Sequence, residues 1–441
     1  MSGEAAAHRP QVWGGIECTV NRVGGVHNRQ LARSGHYDRL EDDLDACASL
    51  GVKALRYPVL WEEVESPSGE RDFTLADRAM RHVERSPMTP IVGLLHHGSG
   101  PLSTSLDDPG FPERFADFAG EVARRYPWVS DWTPVNEPLT TARFSGLYGH
   151  WYPHARDDRA FVTMLLAEVR ATILAMRAIR EVNPEARLIQ TEDFGRMGGT
   201  RPVHQQVAFE NERRWLTFDL LSGRVRPQHP LFRYLTGVGG ADPAELLWIA
   251  DHACSPDILG LNHYPRSNRW LDHRLHRFHP AFHGTNGRIR YADVAACDTH
   301  LAARPSLLSL IEETWARYTT PIAVTEVHVY EDADGQAAWW RSAVEAAETA
   351  AHRGIPVAAV TVWSILGSFD WDTLCTSDVP DVTYEPGAFE LRDGMRFETP
   401  LAQAVRDSAR AAGDDRPHIP WLPAHRRIDA QAPSDAEDAA A

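Results

Sequence analysis

Two glutamates among the 441 residues stand where a carboxylate can do chemistry. Glu137 follows the β-rich run 131–136 (Asp-Trp-Thr-Pro-Val-Asn), and Glu326 follows 321–325 (Pro-Ile-Ala-Val-Thr). Two carboxyl groups facing each other across a pocket suit glycoside cleavage: one protonates the leaving oxygen while the other attacks the sugar carbon. Polar residues close the other β-rich runs as well. They are Glu17 and Asn21, Arg56, His96 and His97, Asn136, Glu192 and Asp193, then Asn262, His263 and Tyr264, and finally Trp363. A polar side chain at the end of a strand buried on both faces is costly unless it is hydrogen-bonded or functional. One such residue is a rim residue; a succession of them outlines a polar basin.

The elements that must position these residues follow from apolar periodicity. Short β-rich runs near 12–17, 52–57, 90–96, 131–136, 186–192, 256–262, 321–326 and 357–363 alternate with amphipathic stretches at 36–50, 74–85, 111–126, 158–182, 301–318 and 335–353, and 399–411 closes the series. Alternation of this kind predicts a parallel sheet with helical crossovers, and eight repeats of it predict a single (β/α)8 TIM barrel. In such a barrel strands four and seven lie across the mouth from each other, which sets Glu137 against Glu326. Segments 194–240 and 264–300 break the rhythm and are expected as long loops after strands five and six, shaping a pocket on the active face. The catalytic domain is expected over 11–422. Residues 1–10 and 423–441 read as disordered tails, the second because it turns to Ala, Asp, Arg and Pro after Trp421.

Composition narrows the chemistry. A formal charge of −16 repels a polyphosphate, so no nucleic-acid partner is expected. Lys53 is the only lysine and lies in no Gly-x-x-x-x-Gly-Lys sequence, which excludes a Walker-A site and disfavours Schiff-base chemistry. The cysteines (Cys18, Cys47, Cys254, Cys297 and Cys375) are odd in number and far apart, indicating neither a disulfide framework nor structural zinc. His273, His276, His279 and His283 match no zinc spacing, and Arg274 and Arg277 among them would repel a cation; the run is expected as a solvated loop lining the pocket. No metal or cofactor is expected. With no apolar run of membrane-spanning length and no apolar stretch in residues 1–10, a cytoplasmic location away from membranes is expected. The expected partner is a small-molecule glycoside or oligosaccharide.

From Trp13 to about Trp371 the sequence resembles the family 1 glycoside hydrolases, β-glucosidase-like retaining enzymes built on a (β/α)8 barrel. Its most specific piece is Thr-Pro-Val-Asn-Glu-Pro at 133–138, resembling the family's Asn-Glu-Pro motif. The resemblance implies Glu137 as acid/base, Asn136 as its sugar-binding neighbour, and Glu326, at the end of a Thr-Glu strand motif, as nucleophile. Leu55-Arg56-Tyr57 resembles the motif carrying the arginine beside the nucleophile, and Asp257 to Tyr264 the sixth-strand motif whose tyrosine contacts it. Trp13-Gly14 with Asn21, His96, Asn262, and the loop Trp363 to Trp371 with Asp370 fall on sugar-binding positions. Four departures stand out: Asn21 replaces glutamine, Asp370 replaces glutamate, His97 replaces tryptophan, and Val327-His328 replaces Asn-Gly. The implied catalytic apparatus is intact while the part that selects the sugar is altered, with the Asn21 and Asp370 side chains each one methylene short of a hexose's far hydroxyls. A transglycosidase with the same catalytic residues, and a sugar-binding barrel without catalysis, remain as alternatives.

Overall fold

The computed structural model describes residues 9–299, 305–377 and 382–413. Eight parallel strands close into a barrel: β1 Gln11–Gly15, β2 Ala54–Pro58, β3 Thr89–His96, β4 Asp131–Asn136, β5 Arg187–Asp193, β6 Ile258–His263, β7 Ile322–Val327 and β8 Val357–Val362. Each pairs with its neighbours in chain order, and β1 closes the ring by pairing with both β8 and β2. The strands form where the sequence places continuous apolar or β-branched runs, as in Val-Ala-Ala-Val-Thr-Val of β8, every residue of which is buried. Trp13, Ala54, Ile91, Ile189, Ile258, Ala323, Ala358 and Ala359 pack into an apolar cluster of their own, contributed from all round the ring. With that cluster filling the barrel, the polar residues farther along the strands are left at its C-terminal mouth.

The outer layer holds α1 Leu40–Ser49, α2 Thr74–Arg85, α3 Phe111–Arg125, α4 Asp158–Val182, α5 Pro243–Asp251, α6 Leu307–Tyr318, α7 Ala333–His352 and α8 Pro400–Ala412. Four of them start on a side-chain cap: Asp157 accepts from Ala160 N (2.9 Å), Asp242 from Ala244 N (2.8 Å), Ser306 from Ser309 N (3.2 Å) and Asp332 from Gly335 N (2.8 Å). Helix α3 docks through Phe111, Phe115 and Phe118, whose rings lie 5.7–6.0 Å from that of Trp61.

The segments expected as long loops carry structure of their own. Within 194–240 stand a short strand, Met197–Gly199, and helices His204–Arg213 and Leu216–Leu221. Within 264–300 the strands Arg269–Asp272, His283–Thr285 and Arg290–Ala295 join Met197–Gly199 in a four-stranded accessory sheet. Both connections follow β5 and β6 as expected, and the sheet within them is the added finding. The strands are three to six residues long and pair across two different connections, so no local period announces them. Gly195 lets the two connections touch: a Cβ there would stand 2.0 Å from Ser267 O. His273 and His283 are taken up locally by Thr200 Oγ1 (2.8 Å) and by the carbonyls of Leu275 and Phe278 (3.0 Å each). Of the expected N-terminal tail, Arg9 and Pro10 are described. Pro10 is buried, and the Arg9 guanidinium donates to Ala411 O (3.0 Å). Residues 1–8 and the expected C-terminal tail, 423–441, lie outside the described residues, as does Trp421.

Candidate active site

At the mouth of the barrel, the parallel register sets His96 beside Asn136 and Glu326 beside Asn262. Arg56 lies at the centre of the network. One of its nitrogens, Nη1, donates to Glu326 Oε1 (2.7 Å) and to Thr325 O (2.8 Å), and Nη2 donates to Asn136 Oδ1 (2.7 Å). The Tyr264 hydroxyl donates to the other oxygen of Glu326. Both oxygens of Glu326 thus accept strong bonds, one of them from a cation.

Glu137 has different company. Its Oε1 accepts from Asn262 Nδ2 (2.5 Å), while Asn262 Oδ1 accepts from Thr325 Oγ1 (2.7 Å), which fixes the amide's orientation. The Nε2 atom of His97 lies 3.8 Å from Glu137 Oε2. Among the described residues no arginine or lysine bonds to this carboxyl group. The backbone at Glu137 is left-handed (φ 47°, ψ 61°), and His97 (φ 59°) and Asp370 (φ 63°) share that region. Non-glycine residues avoid it at a cost of about 1–3 kcal/mol, so the surrounding packing must hold these three in place.

Burial raises the pKa of both glutamates, but unequally. Burial lifts Glu326 to about 7, with Arg56 and Tyr264 opposing the rise. Glu137 is raised well above the ordinary carboxylate range, first by burial and then by the negative charge of Glu326. One carboxylate is therefore poised to ionise while the other keeps its proton, the condition that separates a nucleophile from a general acid. Burial and the Arg56 charge drive His97 down to about 3, and burial lowers His96 well below its usual range, so both imidazoles are neutral. Asn136 Nδ2 lies 3.2 Å from His96 Nε2, and Asn136 Oδ1 also accepts from Thr191 Oγ1 (2.7 Å).

Trp363 lies parallel to His96 (centroids 5.4 Å, interplanar angle 6°), with the Arg56 guanidinium 4.7 Å from its ring centre. Gly15 makes room for it; a Cβ there would stand 2.4 Å from the indole. Trp371 stands partly exposed near His97 and Trp151. Glu137, Glu326, Arg56, Tyr264, Asn136, Asn262, His96 and Trp363 thus form one connected cluster. Asn21 and Asp370 are placed differently. Asn21 Nδ2 donates to Cys375 O (2.9 Å), leaving a buried Oδ1 without a partner. Asp370 accepts from Thr373 Oγ1 (2.5 Å) and Ser377 N (2.9 Å), fastening its own turn. Sequence reasoning missed Trp151 and gave Glu17 no role. Glu17 Oε2 accepts from the indoles of both Trp371 (3.0 Å) and Trp363 (3.3 Å). Its place at the end of the first strand was the one signal available.

No group of three or more His, Cys, Asp or Glu among the described residues is arranged to hold a metal ion, and no helix among them is long and apolar enough to cross a membrane.

Known proteins share this architecture. A β-glucosidase from Thermotoga maritima, solved in complex with deoxynojirimycin, superposes with a TM-score of 0.71 over 93% of this chain and 99% of its own, at 15% identity. In sequence, a β-glucosidase of Agrobacterium sp. is 27% identical over 194 residues, 42% of each chain. An aryl-phospho-β-D-glucosidase of Bacillus subtilis is 24% identical over 279 residues, 58% of this chain and 56% of that one. The chain thus spans about two fifths to a little over half the length of these curated relatives. The sequence pattern of glycosyl hydrolase family 1 matches residues 7–377, a stretch that takes in all eight barrel strands and the whole polar mouth. On that match the chain belongs to glycosyl hydrolase family 1.

Proposed function

We propose that the protein is a retaining β-glycosidase working by double displacement, with Glu326 as nucleophile and Glu137 as acid/base. The observation that carries this reading is the unequal company of the two carboxyl groups. Glu326 is bonded to a guanidinium and a phenol, whereas Glu137 is bonded to a neutral amide and kept from ionising by burial and by Glu326.

In the first step a Glu326 oxygen forms a bond to the anomeric carbon as the glycosidic C–O bond breaks, and Glu137 gives its proton to the departing oxygen. Esterification removes the negative charge of Glu326, so the pKa of Glu137 falls and its carboxylate can take a proton from water. That water attacks the anomeric carbon, the ester bond breaks, and both carboxyl groups return to their starting states. Arg56 stabilises the carboxylate before attack and when it leaves again. Asn136, oriented by Arg56 and Thr191, is placed to bond the sugar's C2 hydroxyl as positive charge develops on the ring. Trp363 and Trp371 offer flat apolar faces to the sugar.

The test is a screen of aryl β-glycosides covering hexoses, pentoses, deoxy sugars and uronic acids, with Glu326→Ala as the blank and product configuration read by NMR. Turnover with net retention, absent from the blank, is the expected result. Inverted product would replace the mechanism, and activity equal to the blank on every sugar would overturn the reading.

A further inference from the structure

The buried carboxylate of Glu17 has no part in the mechanism above. It lies just beyond β1, with its backbone N–H anchored on Ser364 Oγ (3.0 Å). Oε1 accepts from Thr19 N (2.8 Å) and Oε2 from the two indoles. Glu17 is 4% exposed and has no cationic partner among the described residues, since Arg56 is committed to Glu326 and Asn136. Burial raises its pKa, and its charge is in turn felt at Glu326 and Tyr264.

Its position is informative. In ring order β7 is followed by β8 and then β1. A sugar seated with its anomeric carbon at Glu326 and its ring against Trp363 points its far side toward the start of the β1 loop. The two side chains that the resemblance assigns to that far side have turned away: the Asn21 amide bonds Cys375 O, and the Asp370 carboxylate holds Thr373 and Ser377. Glu17 is the carboxylate that remains between the two tryptophans. A carboxylate has about four acceptor positions, and three are filled. Its remaining acceptor capacity, for which the Thr19 side chain also competes, selects a hydrogen-bond donor. Alongside Glu326, whose arginine is shared with Asn136, it also repels a further anion.

We propose that Glu17 is the specificity residue for the far side of the glycone, accepting from its C3 or C4 hydroxyl and excluding glycones that carry a carboxylate or phosphate. The proposal rests on the glycosidase reading of the site.

The experiment compares wild type, Glu17→Gln and Glu17→Ala on an aryl β-glucoside, on its analogues lacking the C3 or the C4 hydroxyl, on the aryl glucuronide, and on the glucoside phosphorylated at its primary hydroxyl. In the wild type, deleting the contacted hydroxyl lowers kcat/KM by about tenfold or more, the size of a lost hydrogen bond to a charged group. In Glu17→Ala the same deletion costs less than about threefold, because the partner is already gone. Glu17→Gln keeps the shape and an acceptor for both indoles while giving up the bond from Thr19 N, and it raises the activity on either anionic substrate relative to the glucoside by about tenfold. Equal deletion penalties in wild type and Glu17→Ala, with no gain on anionic substrates in Glu17→Gln, overturn the proposal. Binding of deoxynojirimycin, followed by calorimetry, separates the two readings. If it binds the wild type about tenfold more tightly than Glu17→Gln while no glycoside is turned over, the glycosidase reading fails and Glu17 stands. Turnover with unchanged binding and unchanged substrate ratios removes Glu17 alone.

Discussion

Tyr264→Phe removes one oxygen atom and leaves the ring, so it isolates the bond from that hydroxyl to Glu326 Oε2. A hydrogen bond to a charged group is worth about 1.5–3 kcal/mol, which at about 1.36 kcal/mol per unit is a pKa change of about 1–2. The sign is upward, because the lost donor stabilised the ionised form. From about 7, Glu326 moves to roughly 8–9. At pH 7 the ionised fraction falls from about a half to between about a tenth and a hundredth, so kcat/KM falls about five- to fiftyfold and recovers as pH rises through the new pKa. The assay is the pH dependence of kcat/KM on a dinitrophenyl glycoside, whose phenolate leaves without a proton, so that the titration of Glu137 does not enter. The rising limb should move by about 1–2 units while the plateau above it stays within a fewfold of wild type. A uniform loss at every pH with the limb in place would show that Tyr264 supports the loop, not the charge of the nucleophile, and the reasoning would be refuted.

Other expectations follow from the same geometry. Arg56→Met should move the rising limb farther than Tyr264→Phe, since it removes a full charge as well as the bonds to Glu326, Thr325 and Asn136; a smaller shift, read from the same pH profiles, would contradict that assignment. Glu326→Gly should regain turnover with azide or formate and yield product of inverted configuration by NMR, because the anion attacks from the vacated face. Glu137→Ala should keep most of its kcat/KM on dinitrophenyl glycosides, though not its kcat because the base of the second step is gone, and lose kcat/KM on alkyl glycosides; identical losses of kcat/KM on both series would mean the two glutamates are misassigned. Away from the site, Glu168 of α4 is buried with both carboxyl oxygens unpartnered, and burial and then Glu192 hold its pKa well above the ordinary range. The unfolded chain gives up this proton before the folded one does, so stability falls as pH rises above the ordinary carboxylate pKa toward the raised one. Glu168→Met should therefore stabilise the protein by about 1–3 kcal/mol, more at about pH 8 than at about pH 5, as measured by denaturant unfolding.

The barrel strands were legible because each is a buried apolar run bounded by polar residues, and the structure puts all eight within a few residues of the expected places. Helices 74–85 and 158–182 match to the residue, since their apolar faces and polar ends agree. The accessory sheet was not legible. Its strands are short and carry no alternating apolar pattern, and Met197–Gly199 pairs with Arg269–Asp272 only because two distant connections meet. Within the site, Arg56, Tyr264, Asn136 and Asn262 were readable from position along the barrel, since register alone brings strand ends together. Glu17, Asn21 and Asp370 were not, because strand position does not say which way a loop side chain turns. That choice depends on local donors such as the Ser377 N–H, the Cys375 carbonyl and the two indoles.

The contact between the connections that follow β5 and β6 bears on how this protein can change. Met197–Gly199 is hydrogen-bonded alongside Arg269–Asp272, Arg196 N donates to Asn268 Oδ1 (2.9 Å), and Gly195 lies too close to Ser267 to tolerate a side chain. The two connections therefore form one structural unit. Transplanting either one from a relative would bring half of a sheet edge to a partner it does not match, whereas exchanging 194–200 together with 264–299 preserves the seam and leaves the barrel register untouched. A library that varies one connection at a time will mostly sample broken seams.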